Sequence, residues 1–557
     1  MRRFVIILAF GVFLAGCKDR EYNQEELEAF VKSHVAQVKP MRKAAALAYW
    51  EAANSGKAED YEKASKLEYE LREIYTDTED YNFLKRIKED IQINDQLLSR
   101  QLDHLYNAYL ENQIDSSLLK KMVDLSTDIQ ERFSTFRGEI DGEKVTTNQI
   151  KEILKTDPDT IYRRKAWLAS KQVGNVVAED LVKLVKLRNE AARKVGFSNY
   201  HELSLKTAEQ DVKELDVIFE ELYELTNEPF TQVKRELDRK LAAKYGVEES
   251  ELGPWHYHDP FFQETPMVYE IDLDAYYQGQ DVMKIAKRFY AGIGLPVDSI
   301  LAKSDLYERE GKNPHAFCTD IDRGGDVRIL CNLKDTEQWM ETMLHELGHG
   351  VYDKYHNPEV PYLLREPAHI FTTEAVAMFF GRLSRNPMWM QQMLGLNDEE
   401  RNHIEKVSET YARLKQLIFA RWAMVMYQFE KELYRNPDQD LNTLWWDMVE
   451  RYQMVRRPER RDKPDWAAKI HFAIAPVYYH NYVLGELLAS QFRHYIVTRV
   501  MNLEAGAMVS FVGVREVGSY FQQNVFEPGS VYPWNEMIER ATAEKLTAEY
   551  FVDQFVR

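Results

Sequence analysis

The run Trp339-Met340-Glu341-Thr342-Met343-Leu344-His345-Glu346-Leu347-Gly348-His349-Gly350-Val351-Tyr352 constrains this chain more than any other stretch. Its apolar residues Trp339, Met343, Leu344, Leu347 and Val351 recur at helical spacing. On a helix His345 and His349 share one face, whereas in a strand they would stand about 13 Å apart. The helix therefore presents two imidazole nitrogens to one tetrahedral zinc, with Glu346 beside them. A carboxylate there can take a proton from water as the water attacks a carbonyl. An amphipathic core helix would show the same apolar pattern with no chemistry attached, so the rest of the chain has to decide.

A catalytic zinc uses three protein ligands and keeps one position open. Twenty-five residues after His349, Glu374 sits in the apolar run Phe371-Thr372-Thr373-Glu374-Ala375-Val376-Ala377. A carboxylate in such a run is costly to bury unless it is paired or bound to metal. Glu374 is the expected third ligand; the bland reading is a partly exposed helix glutamate.

These two motifs, with Pro361-Tyr362-Leu363-Leu364-Arg365-Glu366 between them, resemble the angiotensin-converting-enzyme family of zinc peptidases (peptidase M2), and more distantly the thimet-type oligopeptidases. The resemblance runs from about residue 180 to 500 and is strongest from 310 to 380. It implies a mainly α fold: a large helical clamshell of two subdomains around a deep zinc-containing channel, with a small β hairpin. It also implies one Zn2+ per chain and short unfolded peptides as substrates.

The resemblance carries roles onto further residues. In Lys469-Ile470-His471-Phe472-Ala473-Ile474-Ala475-Pro476-Val477-Tyr478-Tyr479-His480-Asn481-Tyr482, His471 and Tyr482 match the pair that stabilises the oxyanion. Lys469 and Tyr479 match residues near the substrate carboxylate. One extra residue between His471 and Tyr479 leaves Tyr478 as a rival. His315 and Ala316 match a strand edge that binds the substrate backbone, a mode that needs main-chain bonds more than particular side chains. The pieces Pro314 to Cys318 and Val327 to Cys331 read as the two strands of that hairpin.

Departures from the family are equally specific. The glutamine that helps hold the substrate carboxylate has no counterpart in Gly253 to Phe262, where Tyr257 or His258 would have to substitute, or where an aromatic loop is simply packed for stability. Met378 stands where the converting enzymes place an aspartate that orients a zinc histidine. Asn481 replaces the arginine that binds chloride between the two tyrosines, so chloride activation is not expected. Cys318 and Cys331 flank a turn; the family has a disulfide near this hairpin at a different spacing, and two buried thiols fit equally well.

The remaining chain supports this frame. Met1-Arg2-Arg3 and the apolar run Phe4 to Leu14 read as a signal peptide over 1–16, ending in Leu14-Ala15-Gly16-Cys17, which looks like a bacterial lipobox. Cys17 would carry lipid, residues 17–27 would form a tether, and 28–557 the helical zinc-peptidase domain, held at the cell envelope. No second long apolar run follows. The net charge of -19 excludes a basic nucleic-acid surface and grows more negative once Arg2 and Arg3 leave. Residues 23 to about 135 read as long helices, Asp141-Gly142 as a hairpin turn, Thr147 as an N-cap and Gly196 as a helix end.

The expected activity is zinc-dependent release of C-terminal dipeptides from short peptides. The alternatives are an oligopeptide endopeptidase and, in another class, a peptide-binding lipoprotein without turnover. The motifs do not address oligomeric state.

Overall fold

Helices supply nearly all the regular structure of the computed structural model, which describes residues 23–266, 268 and 272–557. Cys17 and the signal-peptide segment lie outside these residues. Five helices open the chain: Gln24–Ser55, Ala58–Ile74, Thr78–Asp90, Gln96–Glu111 and Ser116–Thr135. Four begin at a side chain that accepts from the first-turn backbone, namely Asn23, Asp77, Asp95 and Asp115. The first helix starts inside the stretch read as a tether, because Leu27 is fully buried against Leu84, Leu102 and Leu105.

The hairpin at Asp141-Gly142 is present. Gly138–Ile140 pairs antiparallel with Glu143–Val145, and both turn residues have positive φ, 53° and 88°. The next helix, Thr147–Thr156, is capped by Thr146 and not by Thr147; Thr146 and Gln149 form a reciprocal capping box. Three helices of 35, 34 and 38 residues, Thr160–Lys194, Val212–Tyr245 and Asp398–Arg435, run through the main core. The first ends at Lys194, and Gly196 just beyond it takes φ 94°. Among the described residues, no helix is long and apolar enough to cross a membrane.

The second hairpin is shorter than its sequence pattern implied. Phe317–Asp320 pairs antiparallel with Val327–Leu330, from Phe317 opposite Leu330 to Asp320 opposite Val327. The other edge of Phe317–Asp320 pairs with no described strand. His315 and Ala316, expected on the strand, lie immediately before it: the His315 N–H is taken by Asn313 Oδ1 at 2.9 Å, which turns the chain there.

Three helices meet behind this hairpin: Glu337–Lys354, Ile370–Gly381 and His480–Tyr495. Glycine sets how closely they approach. A Cβ at Gly348 would stand 2.7 Å from Ala377 Cα, and one at Gly485 would stand 3.3 Å from both Glu374 Cβ and Met378 Sδ. The Ile370–Gly381 helix is buried on almost every side, so it has no freedom to retreat.

Gly348→Ala therefore drives a methyl into backbone. We expect a loss of about 1–3 kcal/mol in urea unfolding. Gly350→Ala, whose Cβ meets the flexible Ile300 Cδ1 at 3.2 Å, should cost much less. Equal losses would show that the Gly348 crossing is not tight.

Candidate metal centre

His345 and His349 stand one turn apart on the Glu337–Lys354 helix, with Nε2 atoms 3.2 Å apart and ring planes at 82°. Glu374 brings Oε2 to 3.7 Å from His345 Nε2 and 3.9 Å from His349 Nε2. One ligand atom from each of the three lies within 4.8 Å of the others. All three side chains keep some exposure, so solvent and substrate can reach them. Two imidazole nitrogens and one carboxylate oxygen converging on one point form a donor set for a divalent metal with a position left open.

The protonation and orientation of these groups suit that use. Burial holds both imidazoles below their ordinary range, His349 well below, so they stay neutral and free to donate a lone pair. His349 Nδ1 lies 2.7 Å from Thr373 Oγ1; donation there leaves Nε2 as the free lone pair. Glu341, one turn before His345, acts on that imidazole and is itself tied to Arg385 and Lys415. Thr373 thus orients His349, and the charge of Glu341 acts on His345, while Met378 packs against the helix carrying Gly485. Nothing in the motif spacing marked Thr373.

Both nearby carboxyls are pushed well above the ordinary carboxylate range. Burial, then the charge of Glu374, pushes Glu346 up to about 8, although the Cys318 N–H bonds to it. Burial, then Glu486, pushes Glu374 up to about 7. A divalent cation between them would reverse the balance in favour of the carboxylates.

A second group of residues faces this centre. The Lys469 to Tyr482 stretch is not one helix: His471–Ile474 ends, Val477 takes φ 53°, and a new helix starts at His480. A β-branched residue at positive φ is strained by about 1–3 kcal/mol and needs outside support. Glu430 Oε1 accepts the Val477 N–H at 2.8 Å, and Arg188 donates to the carbonyls of Phe472 and Ala473 at 2.8 and 2.5 Å. The kink falls between His471 and Tyr479, where the resemblance needs one extra residue.

As a result His471 stacks edge-on against Tyr479, and Tyr479 against Tyr482, with centroids 5.2 and 5.4 Å apart. Glu374 acts on the hydroxyls of both Tyr478 and Tyr482, raising them together with burial. His471 is held neutral by burial, at about 4, and its Nδ1 is buried without a partner. The rivals Tyr478 and Tyr479 separate in space. Tyr478 lies toward Glu374, whereas the Tyr479 hydroxyl accepts from Trp422 Nε1 at 2.7 Å and its ring lies under Lys469 Nζ at 5.1 Å.

Lys469 has a glutamine as its partner, one that the sequence pattern did not mark. Its Nζ donates to Gln263 Oε1 at 2.7 Å. The Tyr257 hydroxyl meets Lys234 and Asp238, and His258 Nε2 lies 3.0 Å from the Tyr245 hydroxyl. Gln263 lies one residue past Phe262, and Asp259 Oδ2 accepts its N–H at 3.0 Å to hold the turn. Cys318 and Cys331 are free thiols. Asn481 accepts from Gln210, which also meets His480. A cavity of about 1730 Å³ runs alongside, with Gln263, Glu341, Phe419 and Glu486 in its wall.

A family model described as angiotensin-converting enzyme, Peptidase M2, matches residues 21–556. An angiotensin-converting enzyme of Haematobia irritans exigua is 24% identical over 456 residues, 72% of this chain and 72% of the relative. One of Rattus norvegicus is 23% identical over 384 residues, 63% of this chain, which spans 29% of that relative's length. An inactive angiotensin-converting enzyme-related protein of Caenorhabditis elegans is 26% identical over 385 residues, 58% of this chain and 41% of the relative.

Because Glu374 must lose a proton to bind metal, Zn2+ affinity should fall about tenfold per pH unit below about 7 and flatten above it. Competition with a chelator between pH 5.5 and 8.5 measures this; a flat profile would contradict Glu374 as a ligand. Thr373→Val should weaken Zn2+ by about 10–100-fold with the fold intact by circular dichroism.

Proposed function

From the premise that this chain belongs to the peptidase M2 family, that of angiotensin-converting enzyme, we propose that it hydrolyses short unfolded peptides with one Zn2+ and releases C-terminal dipeptides. The observation that carries the reading is the convergence of His345, His349 and Glu374 beside a buried Glu346. Those three would hold the ion, which when bound polarises the scissile carbonyl and acidifies water. Glu346 accepts the proton of the attacking water and passes it to the leaving amine. His471 and Tyr482 donate to the developing oxyanion; the unpartnered Nδ1 of His471 supports a bond that awaits substrate.

Lys469, Gln263 and Tyr479 form a cationic, aromatic-floored group suited to a free C-terminal carboxylate. That favours dipeptide release over internal cleavage. His315 and Ala316 lead into a strand whose outer edge can pair with the peptide backbone. Export and lipid attachment at Cys17, at a bacterial cell envelope, belong to the same proposal and rest on the sequence pattern Leu14-Ala15-Gly16-Cys17.

A decapeptide offered with free and amidated C-termini discriminates these readings by product mass. Dipeptides from the free-carboxylate form only, abolished by a chelator, are expected; internal cuts in both would make it an endopeptidase. No chelator-sensitive cleavage by the zinc-loaded protein would favour a binding protein, in line with the name of the inactive relative. Glu346→Gln should cut kcat by at least about 100-fold while Zn2+ stays bound. Lys469→Ala should raise KM for the free-carboxylate peptide and leave the amidated one unchanged.

A further inference from the structure

At the far end of the Glu337–Lys354 helix lies a second group of metal-ligand side chains that the peptidase reading leaves unused. Asp353 sits in the last turn, His356 just beyond the helix, and Asp320 closes the Phe317–Asp320 strand. One ligand atom from each comes within 4.8 Å of the others.

His356 is the informative member. Both of its ring nitrogens are buried and neither has a hydrogen-bond partner. Buried imidazole nitrogens are ordinarily satisfied, so a pair left open marks a missing partner. The ring packs against Tyr352, with centroids 5.6 Å apart.

The carboxylates present the complementary problem. Burial holds the Asp353 carboxyl well above the ordinary range, and the charge of Asp320 adds to it. One oxygen of Asp320 accepts the turn N–H groups of Asp322 and Arg323, at 3.2 and 2.9 Å. Arg323 is the cation that acts on all three members, but its guanidinium is shared with Glu366 and with the carbonyls of Tyr362 and Leu363. Two carboxylates therefore face each other with a cation divided among several acceptors.

We propose that Asp320, Asp353 and His356 hold a second divalent ion, of the zinc and manganese class, that ties the Phe317–Asp320 strand to the end of the motif helix. Two carboxylate oxygens suit manganese and an imidazole nitrogen suits zinc, whereas calcium and magnesium favour all-oxygen sites. The ion balances both carboxylates and fills an open nitrogen. It clamps the strand whose other edge pairs with no described strand, and it does so two helical turns past Glu346.

Metal counting by native mass spectrometry on the full chain, stripped and reloaded with Zn2+ or with Mn2+, tests this. Two equivalents are expected in the wild type and one in Asp353→Asn, in His356→Ala and in His349→Ala. The His349→Ala and His356→Ala double variant should hold none. Should His356→Ala fail to fold, Asp320→Asn, which preserves shape, carries the same readout. In the His349→Ala background the remaining equivalent should also raise the unfolding temperature. One equivalent that is lost in His349→Ala and kept in His356→Ala would overturn the second site. One equivalent with the opposite pattern would support it while sinking the first.

Discussion

The crossing of the Glu337–Lys354 and Ile370–Gly381 helices at Gly348 and Ala377 is the contact on which the candidate centre depends. With no Cβ at Gly348, the two backbones come together closely enough for Glu374 to reach the imidazoles of His345 and His349. Gly485 repeats the device on the third helix, bringing it against Glu374 and Met378. Three buried helices packed this tightly cannot adjust independently, so the donor geometry is a property of the core.

That rigidity has an electrostatic cost which the site uses. Glu346 and Glu374 are buried beside each other, and both are pushed well above the ordinary carboxylate range. Around them Glu341 and Glu486 are paired with Arg385, Lys415 and Arg382, which keeps the further charges in place. The residues fit a divalent ion: neutral imidazoles offer lone pairs, and a cation there would relieve the repulsion between carboxylates. Helix crossing and charge thus act in the same direction. The Val477 kink belongs to this arrangement: beyond it Tyr478 and Tyr482 come under the charge of Glu374, while before it Lys469 meets Gln263.

Much of this was legible along the chain. The helical period around His345 and His349, the costly Glu374 in an apolar run, the Asp141-Gly142 turn and the N-terminal helices all depend on local spacing and composition, and the structure has each of them. What escaped was short-range detail set by hydrogen bonds, such as Thr146 capping in place of Thr147, or Asn313 ending the strand before Ala316. Gln263 and Thr373 escaped for a different reason. Their meaning lies in partners 206 and 24 residues away, and no spacing rule encodes those meetings.

The sequence by itself determined that this chain is mainly helical, that two histidines stand on one helix face with a glutamate beside them, and that a carboxylate follows in an apolar run on another helix. Periodicity and burial cost are local and additive, so they can be read residue by residue. Only the tertiary structure decided which tyrosine faces Glu374, which glutamine meets Lys469, what orients His349, and that Asp320 meets Asp353 and His356. Those are long-range contacts, chosen by how closely whole helices can pack and by where a strained kink is tolerated.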